Sequence, residues 1–186
     1  MAKKATVAIA HIDADLGKPA EYTRGQLDRV KGMIRQIASQ TMGGMRNIVK
    51  SGDKVMIKIN TVIPVPPSAG FTTDPRMLEA LIELVKEQMP GRIQIGERCA
   101  MGADTMKTME ICGIVEVAER TGVELCPFEH VPFDMYKIDR PVSFNEFPCR
   151  GRSARLTSTS GCHDEGSRSH HLHRLHEVTV RQSAGL

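Results

Sequence analysis

Gly-Gly-Met-Arg-Asn-Ile-Val-Lys-Ser-Gly-Asp-Lys-Val-Met-Ile-Lys-Ile-Asn, residues 43–60, is answered across a proline-rich loop by Thr72-Thr73-Asp74-Pro75, and together they spell turn, strand, loop and helix start. Val55, Ile57 and Ile59 alternate with Met56, Lys58 and Asn60 after the turn signal Gly52-Asp53. That is the two-residue period of a strand. Lys58 and Asn60 therefore share one face and finish at the C-terminal end of the strand. Ligands of open α/β sheets bind at that end, which makes a cation and an amide placed there candidate site residues.

Working outward, residues 6–12 are β-branched and apolar, the run expected of a strand buried on both faces. His11, Asp13 and Asp15 follow at its end, either as polar site groups or as a strand running out into a solvated loop. Leu27, Val30, Ile34 and Ile37 predict a helix over about 22–40 with that face on the sheet, stopped by Gly43-Gly44. Pro64, Pro66 and Pro67 make residues 61–68 an extended loop, a candidate lid. Thr73 or Asp74 is placed to cap a helix opened by Pro75, with Glu79 adding charge near the positive end of its dipole. Free amides there suit a phosphate or carboxylate, although capping alone also explains these residue types.

Met77, Leu81, Leu84, Val85 and Met89 supply that helix's buried stripe, and Pro90-Gly91 ends it. A strand over 92–96 leads into Gly-Glu-Arg-Cys-Ala-Met-Gly-Ala-Asp-Thr, residues 96–105, a strand-to-helix loop without the dinucleotide or P-loop fingerprints. Within it Glu97 is a candidate base or metal ligand and Cys99 a candidate nucleophile or plain loop thiol. Asp104 and Thr105 are candidate caps and ligand contacts. A helix over 106–121 broken at Cys112-Gly113, a short strand over 123–126 and an edge hairpin over 127–147 follow. Strands alternating with helices predict an α/β fold with a mainly parallel sheet and helices on both faces, Rossmann-like and three-layered, truncated, with an irregular C-terminal tail.

The 186 residues, 40% apolar, suffice for one core. The net charge of +3 is spread along the chain and aromatics are only 4%, so neither a nucleic-acid stripe nor a base-stacking platform is present. No apolar run approaches the roughly 20 residues of a membrane span, and the N-terminus lacks a signal peptide, so a cytoplasmic protein is expected. Five scattered cysteines encode neither a disulfide framework nor a C-x-x-C site.

Residues 43–60, then Thr-Thr-Asp-Pro with its helix, then Ile-Gly-Glu and Asp-Thr, closely resemble the family called domain of unknown function 362 over about residues 6–147. The family's usual Lys-Pro-Asn is Lys58-Ile59-Asn60 here, which keeps both polar residues. By their places at strand ends and helix starts, Lys58, Asn60, Thr72, Thr73, Asp104 and Thr105 are the candidate ligand-binding residues, with Glu97, Asp13 and Cys99 as catalytic candidates. Members of the family are often associated with iron–sulfur clusters; a cluster is implied here by family context only, since no cluster motif is present. The expected partner is a small anionic molecule, and the alternative is an iron–sulfur or metal-associated redox or accessory protein.

From about Gly151 the composition changes, dividing the chain into an incomplete α/β domain, 1–150, and a His/Ser/Arg-rich tail, 151–186, expected to be disordered. Cys162, His163, His170, His171, His173 and His176 in this tail are weak metal-ligand candidates, matching no common structural spacing. The other reading is a shifted frame. Read one base later, the codons spanning Glu165/Gly166 and Glu177/Val178 must each become Lys or Arg. Their separation equals that of the two lysines in the family's Lys-Thr-His-x-x-Thr-x-x-Thr-x-x-x-Lys motif. Codons starting in His170, His171 and His173 become Ile or Thr, and the one starting in Ser167 can become His. The resemblance then implies that this chain is an incomplete, inactive fragment.

Overall fold

The structure, a computed structural model, describes residues 6–100, 102–137, 146–150 and 176–179. Its centre is a parallel sheet of β1 (Lys54–Lys58), β2 (Arg92–Glu97), β3 (Glu124–Pro127) and β6 (His176–Thr179), in the order β3-β2-β1-β6. β1 is therefore interior, paired with β2 from Lys54↔Arg92 to Lys58↔Gly96 and with β6 from Val55↔His176 to Lys58↔Thr179. The expected hairpin forms as β4 (Phe133–Lys137) and β5 (Glu146–Arg150), an antiparallel pair outside the main sheet.

The helices follow their capping signals. α1 (Arg24–Met42) opens on Thr23, whose hydroxyl accepts from the Gln26 amide while Gln26 reaches back to the Thr23 amide, a capping box. It closes on Gly43, whose φ of 71° is the left-handed geometry that the Gly-Gly pair allows. α2 (Pro75–Lys86) is capped by Asp74, not Thr73. The expected break at Cys112-Gly113 divides α3 (Thr105–Ile111) from α4 (Ile114–Thr121).

Val55 and Ile57 of β1 and Ile93 and Ile95 of β2 point into the main core with Leu78, Ile82 and Val85 of α2 and Ile114 and Val117 of α4. Met56 faces the other way, with Cys126 and Phe128. Ala38 of α1, Leu78 and Ile82 of α2, Met109 of α3 and Ile114 of α4 all join the core on the Val55 and Ile57 side. Successive right-handed crossovers β1-α2-β2 and β2-α3/α4-β3 advance in one direction, which places their helices on the same side.

Three expectations change. Residues 6–12 form no strand, and Val7 and Ile9 are 82% and 91% exposed. The edge of β1 that such a strand would extend is taken by β6, so the segment has no ladder to join. Part of the expected tail is thus a strand; residues 151–175 and 180–186 lie outside the described residues. α1 packs on α2 more than on the sheet, through Leu27, Val30 and Ala80, while its C-terminal end reaches the main core at Ala38. Cys126 is disulfide-bonded, whereas Cys99 and Cys112 are free and buried.

Charge completes the α1–α2 contact. Glu83 accepts from Arg24 and Lys31, and Glu87 from Lys31 and Arg35. The Arg24 hydrogen bond, followed by that from Lys31, holds the Glu83 carboxyl down at about 2 against the pull of burial. A depressed folded-state pKa contributes stability that is present above the unfolded value near 4.5 and lost as pH falls toward about 2. Glu83→Gln should therefore cost about 1 kcal/mol at neutral pH. It should also flatten the fall in melting temperature across that acid window; an unchanged acid limb would show that the pairs contribute nothing.

Candidate functional site

The C-terminal ends of β1 and β2 bring together Lys58 and Glu97. The Lys58 Nζ donates to both Glu97 carboxylate oxygens, at 2.9 and 3.1 Å, and to the Ile59 carbonyl at 3.1 Å. Its register partner on β2 is Gly96, which presents no side chain of its own. Glu97 is 8% exposed and also accepts from the amides of Arg98 at 2.8 Å and Thr61 at 3.4 Å. Lys58 remains 34% exposed, leaving an ammonium that is held on one side by a buried carboxylate and meets solvent on the other.

The loop over 61–72 stands beside this pair and is closed at its neck. Thr61 and Thr72 form an antiparallel bridge, and both are buried. The Asn60 amide donates to the Thr73 hydroxyl at 2.9 Å, the Thr73 amide returns to the Asn60 carbonyl at 2.8 Å, and the Asn60 Nδ2 donates to the Phe71 carbonyl at 2.9 Å. The body of the loop is tied to the β2-α3 segment by Ala100 N–H to the Val62 carbonyl. Two thiols donate to it as well, Cys99 to the Thr61 carbonyl and Cys112 to the Val65 carbonyl. Burial pushes the Cys112 thiol up from its ordinary value, which keeps it protonated and donating. The prolines thus build an anchored wall, with Val62, Ile63 and Phe71 turned to solvent.

The remaining sequence candidates are distributed around this wall. Thr73 is occupied in the loop neck, and the start of α2 already holds an anion of its own. The Asp74 carboxylate accepts from the Arg76 amide at 2.8 Å and from the Arg76 guanidinium, whose Nη1 donates onward to the carbonyls of Leu16 at 2.9 Å and Gly17 at 2.6 Å. The buried Asp74 carboxylate, paired with Arg76, thus already occupies the dipole end where a phosphate or carboxylate was expected. Asp104 caps α3 by accepting from the Lys107 amide at 2.7 Å. Thr105 accepts from the Cys99 amide at 3.0 Å and donates its own amide to Glu129 at 3.2 Å. Burial raises the Glu129 pKa, but the Thr105 bonds and the nearby His130 together hold it below its ordinary value.

Asp13 is exposed, and no hydrogen bond or ion pair among the described residues joins it to Lys58 or Glu97. Cys99 is buried with its thiol against Thr61, and among the described residues no hydrogen bond joins it to a base. Glu79, expected to complement the α2 dipole, instead accepts from Tyr22 and from Arg120 of α4 at 2.7 Å. Burial and the Glu79 hydrogen bond raise the Tyr22 pKa well above its ordinary value. Three partners escaped the sequence reading: Thr61, Glu129 and Arg76. Each acts through a main-chain group or a partner distant in sequence, and no local pattern signals such a contact.

Among the described residues no group of three or more His, Cys, Asp or Glu is placed to hold a metal. Among the described residues, Cys99 and Cys112 donate their thiols to carbonyls and Cys126 is disulfide-bonded, so these three do not fit the iron–sulfur cluster implied by family context. Of the tail candidates, His176 contributes its backbone to β6, while Cys162, His163, His170, His171 and His173 lie outside the described residues. No helix of the described residues is long and apolar enough to cross a membrane.

No curated protein and no solved structure matches the chain. A family pattern does match, over residues 55–151, which takes in β1, the anchored loop, Lys58 and Glu97, and begins later than the resemblance read from the sequence. The chain belongs to that family, Domain of unknown function (DUF362).

Proposed function

We propose that the C-terminal edge of the sheet binds a small anionic molecule at Lys58, with Glu97 as the group that takes or returns a proton. The observation that carries this reading is the half-exposed ammonium braced by a buried carboxylate at the end of two parallel strands. A bound carboxylate or phosphate oxygen meets the open side of Lys58 and draws the ammonium from Glu97. A Glu97 carboxylate released from Lys58 is placed to act as a general base. The buried wall of Thr61 and Thr72 excludes water from one side of this exchange and strengthens its electrostatics.

In this chain the reading is one of binding without turnover. The second frame of the tail supports an incomplete fragment. The test is a thermal-shift series with inorganic phosphate and small mono- and dicarboxylates. An anion at about a hundred times its dissociation constant should stabilise by about 2.7 kcal/mol, a rise of several degrees. The rise should vanish in Lys58→Met. Absence of any shift across the series, or an equal shift in the variant, overturns the assignment.

A further inference from the structure

We propose that residues 6–12 are an edge strand for β1, competing for the place that His176–Thr179 holds here, and that docking this strand brings His11 and Asp13 to the edge carrying Lys58 and Glu97. Four observations converge on that placement. Thr-Val-Ala-Ile-Ala-His-Ile has the composition of a strand buried on both faces, yet Val7 and Ile9 stand in solvent. An extended, unpaired apolar run of this kind is a template seeking a sheet edge.

The second observation is where the segment is tethered. Arg76, in the first turn of α2, holds the carbonyls of Leu16 and Gly17. α2 begins just beyond the C-terminal end of β1, joined to it by the anchored loop. The four residues from Ile12 to Leu16 span at most about 14 Å. A strand over 6–12 must therefore end near the C-terminal edge, so it runs parallel to β1.

Third, α1 already lies where the crossover of such a strand would run. A strand outside β1, followed by α1 and then β1, is a right-handed β-α-β unit advancing in the same direction as β1-α2-β2. That arrangement sets α1 beside α2 on one face, which is the packing seen through Leu27, Val30 and Ala80. α1 is a crossover helix whose first strand is absent from the sheet.

Fourth, the present occupant makes a short contact. β6 pairs over four residues, His-Glu-Val-Thr, in a position flanking the buried Val55, Met56 and Ile57. The competing segment has seven residues, five of them apolar. Docking would add His11 and Asp13 to one end of the sheet, giving the site a second carboxylate and an imidazole. That functional consequence rests on the site proposed above; the strand placement does not.

Hydrogen–deuterium exchange on the full chain tests the placement, alongside the full chain carrying Val178→Pro, which breaks the β6 ladder. The amides of residues 7–12 should exchange at least tenfold more slowly in Val178→Pro than in an unstructured peptide of the same sequence. Adding Ile9→Asp to that variant should abolish the protection. Exchange of residues 7–12 at the unstructured rate in both the native chain and Val178→Pro overturns the proposal, as does protection that Ile9→Asp leaves intact. Should Val178→Pro fail to fold, Val178→Asp serves in its place under the same criteria. A missing phosphate- or carboxylate-dependent thermal shift alongside protected residues 7–12 would sink the binding site and leave the strand standing.

Discussion

Gly96→Ala is expected to destabilise the protein by about 2–3 kcal/mol, the upper part of the range for overpacking a core. A Cβ at this position would sit 2.4 Å from Cε1 of Phe128, 2.6 Å from the Met56 sulfur and 2.7 Å from Cζ of Phe128. Neither neighbour has room to retreat, since Met56 and Phe128 are 2% and 6% exposed. The backbone is equally constrained, because β2 is hydrogen-bonded to β1 on one side and β3 on the other. The melting temperature should fall by roughly 6–9 °C, at about 3 °C per kcal/mol for a chain of this size. Combining Gly96→Ala with Phe128→Ala should cost less than the sum of the two single changes, by about 1 kcal/mol or more, because the second makes room for the first. Simple additivity would show that the ring is not what excludes the methyl.

Removal of the Glu97 carboxylate should have the next largest effect. Glu97→Ala leaves the Thr61 and Arg98 amides without their acceptor and Lys58 without its counter-charge. The loss is put at about 2 kcal/mol, the cost of leaving buried donors unsatisfied. Lys58 is one-third exposed and water re-solvates it, so its share is small. Lys58→Met should accordingly cost under about 1 kcal/mol. Urea denaturation of the two variants measures the asymmetry directly. Equal losses would mean that the ion pair itself, and not the buried end of it, carries the stability.

The same contrast gives these two positions, paired in space, different parts in the fold. Glu97 is fixed by main-chain amides and belongs to the scaffold as much as to the site. Lys58 is held at one end only, and its replacement is expected to change ligand affinity far more than folding. A variant that separates binding from stability is available at Lys58 and unavailable at Glu97.

Several elements were legible in the linear chain because their causes are local. The two-residue alternation of Val55, Met56 and Ile57 yielded β1, Asp74-Pro75 the start of α2, and Gly43-Gly44 the end of α1. Cys112-Gly113 marked the division of one predicted helix into two, since Gly113 takes a left-handed φ of 72° there. The position of Lys58 at the end of its strand followed from the same alternation.

What the chain determined by itself, then, was the strand of β1 and the starts and stops of α1, α2, α3 and α4, because backbone sterics, caps and hydrophobic period act within a few residues. Partnership was decided only by the tertiary structure. Lys58 and Glu97 stand 39 residues apart. Arg76 reaches Leu16, 60 residues away, and α1 lies on α2 through Leu27, Val30 and Ala80, with Glu83 and Glu87 receiving its cations there. The strand propensity of residues 6–12 was equally visible in sequence, yet propensity cannot choose between two segments contending for one edge. Only the free-energy difference between the competing ladders makes that choice, and it depends on contacts that exist nowhere but in the assembled sheet.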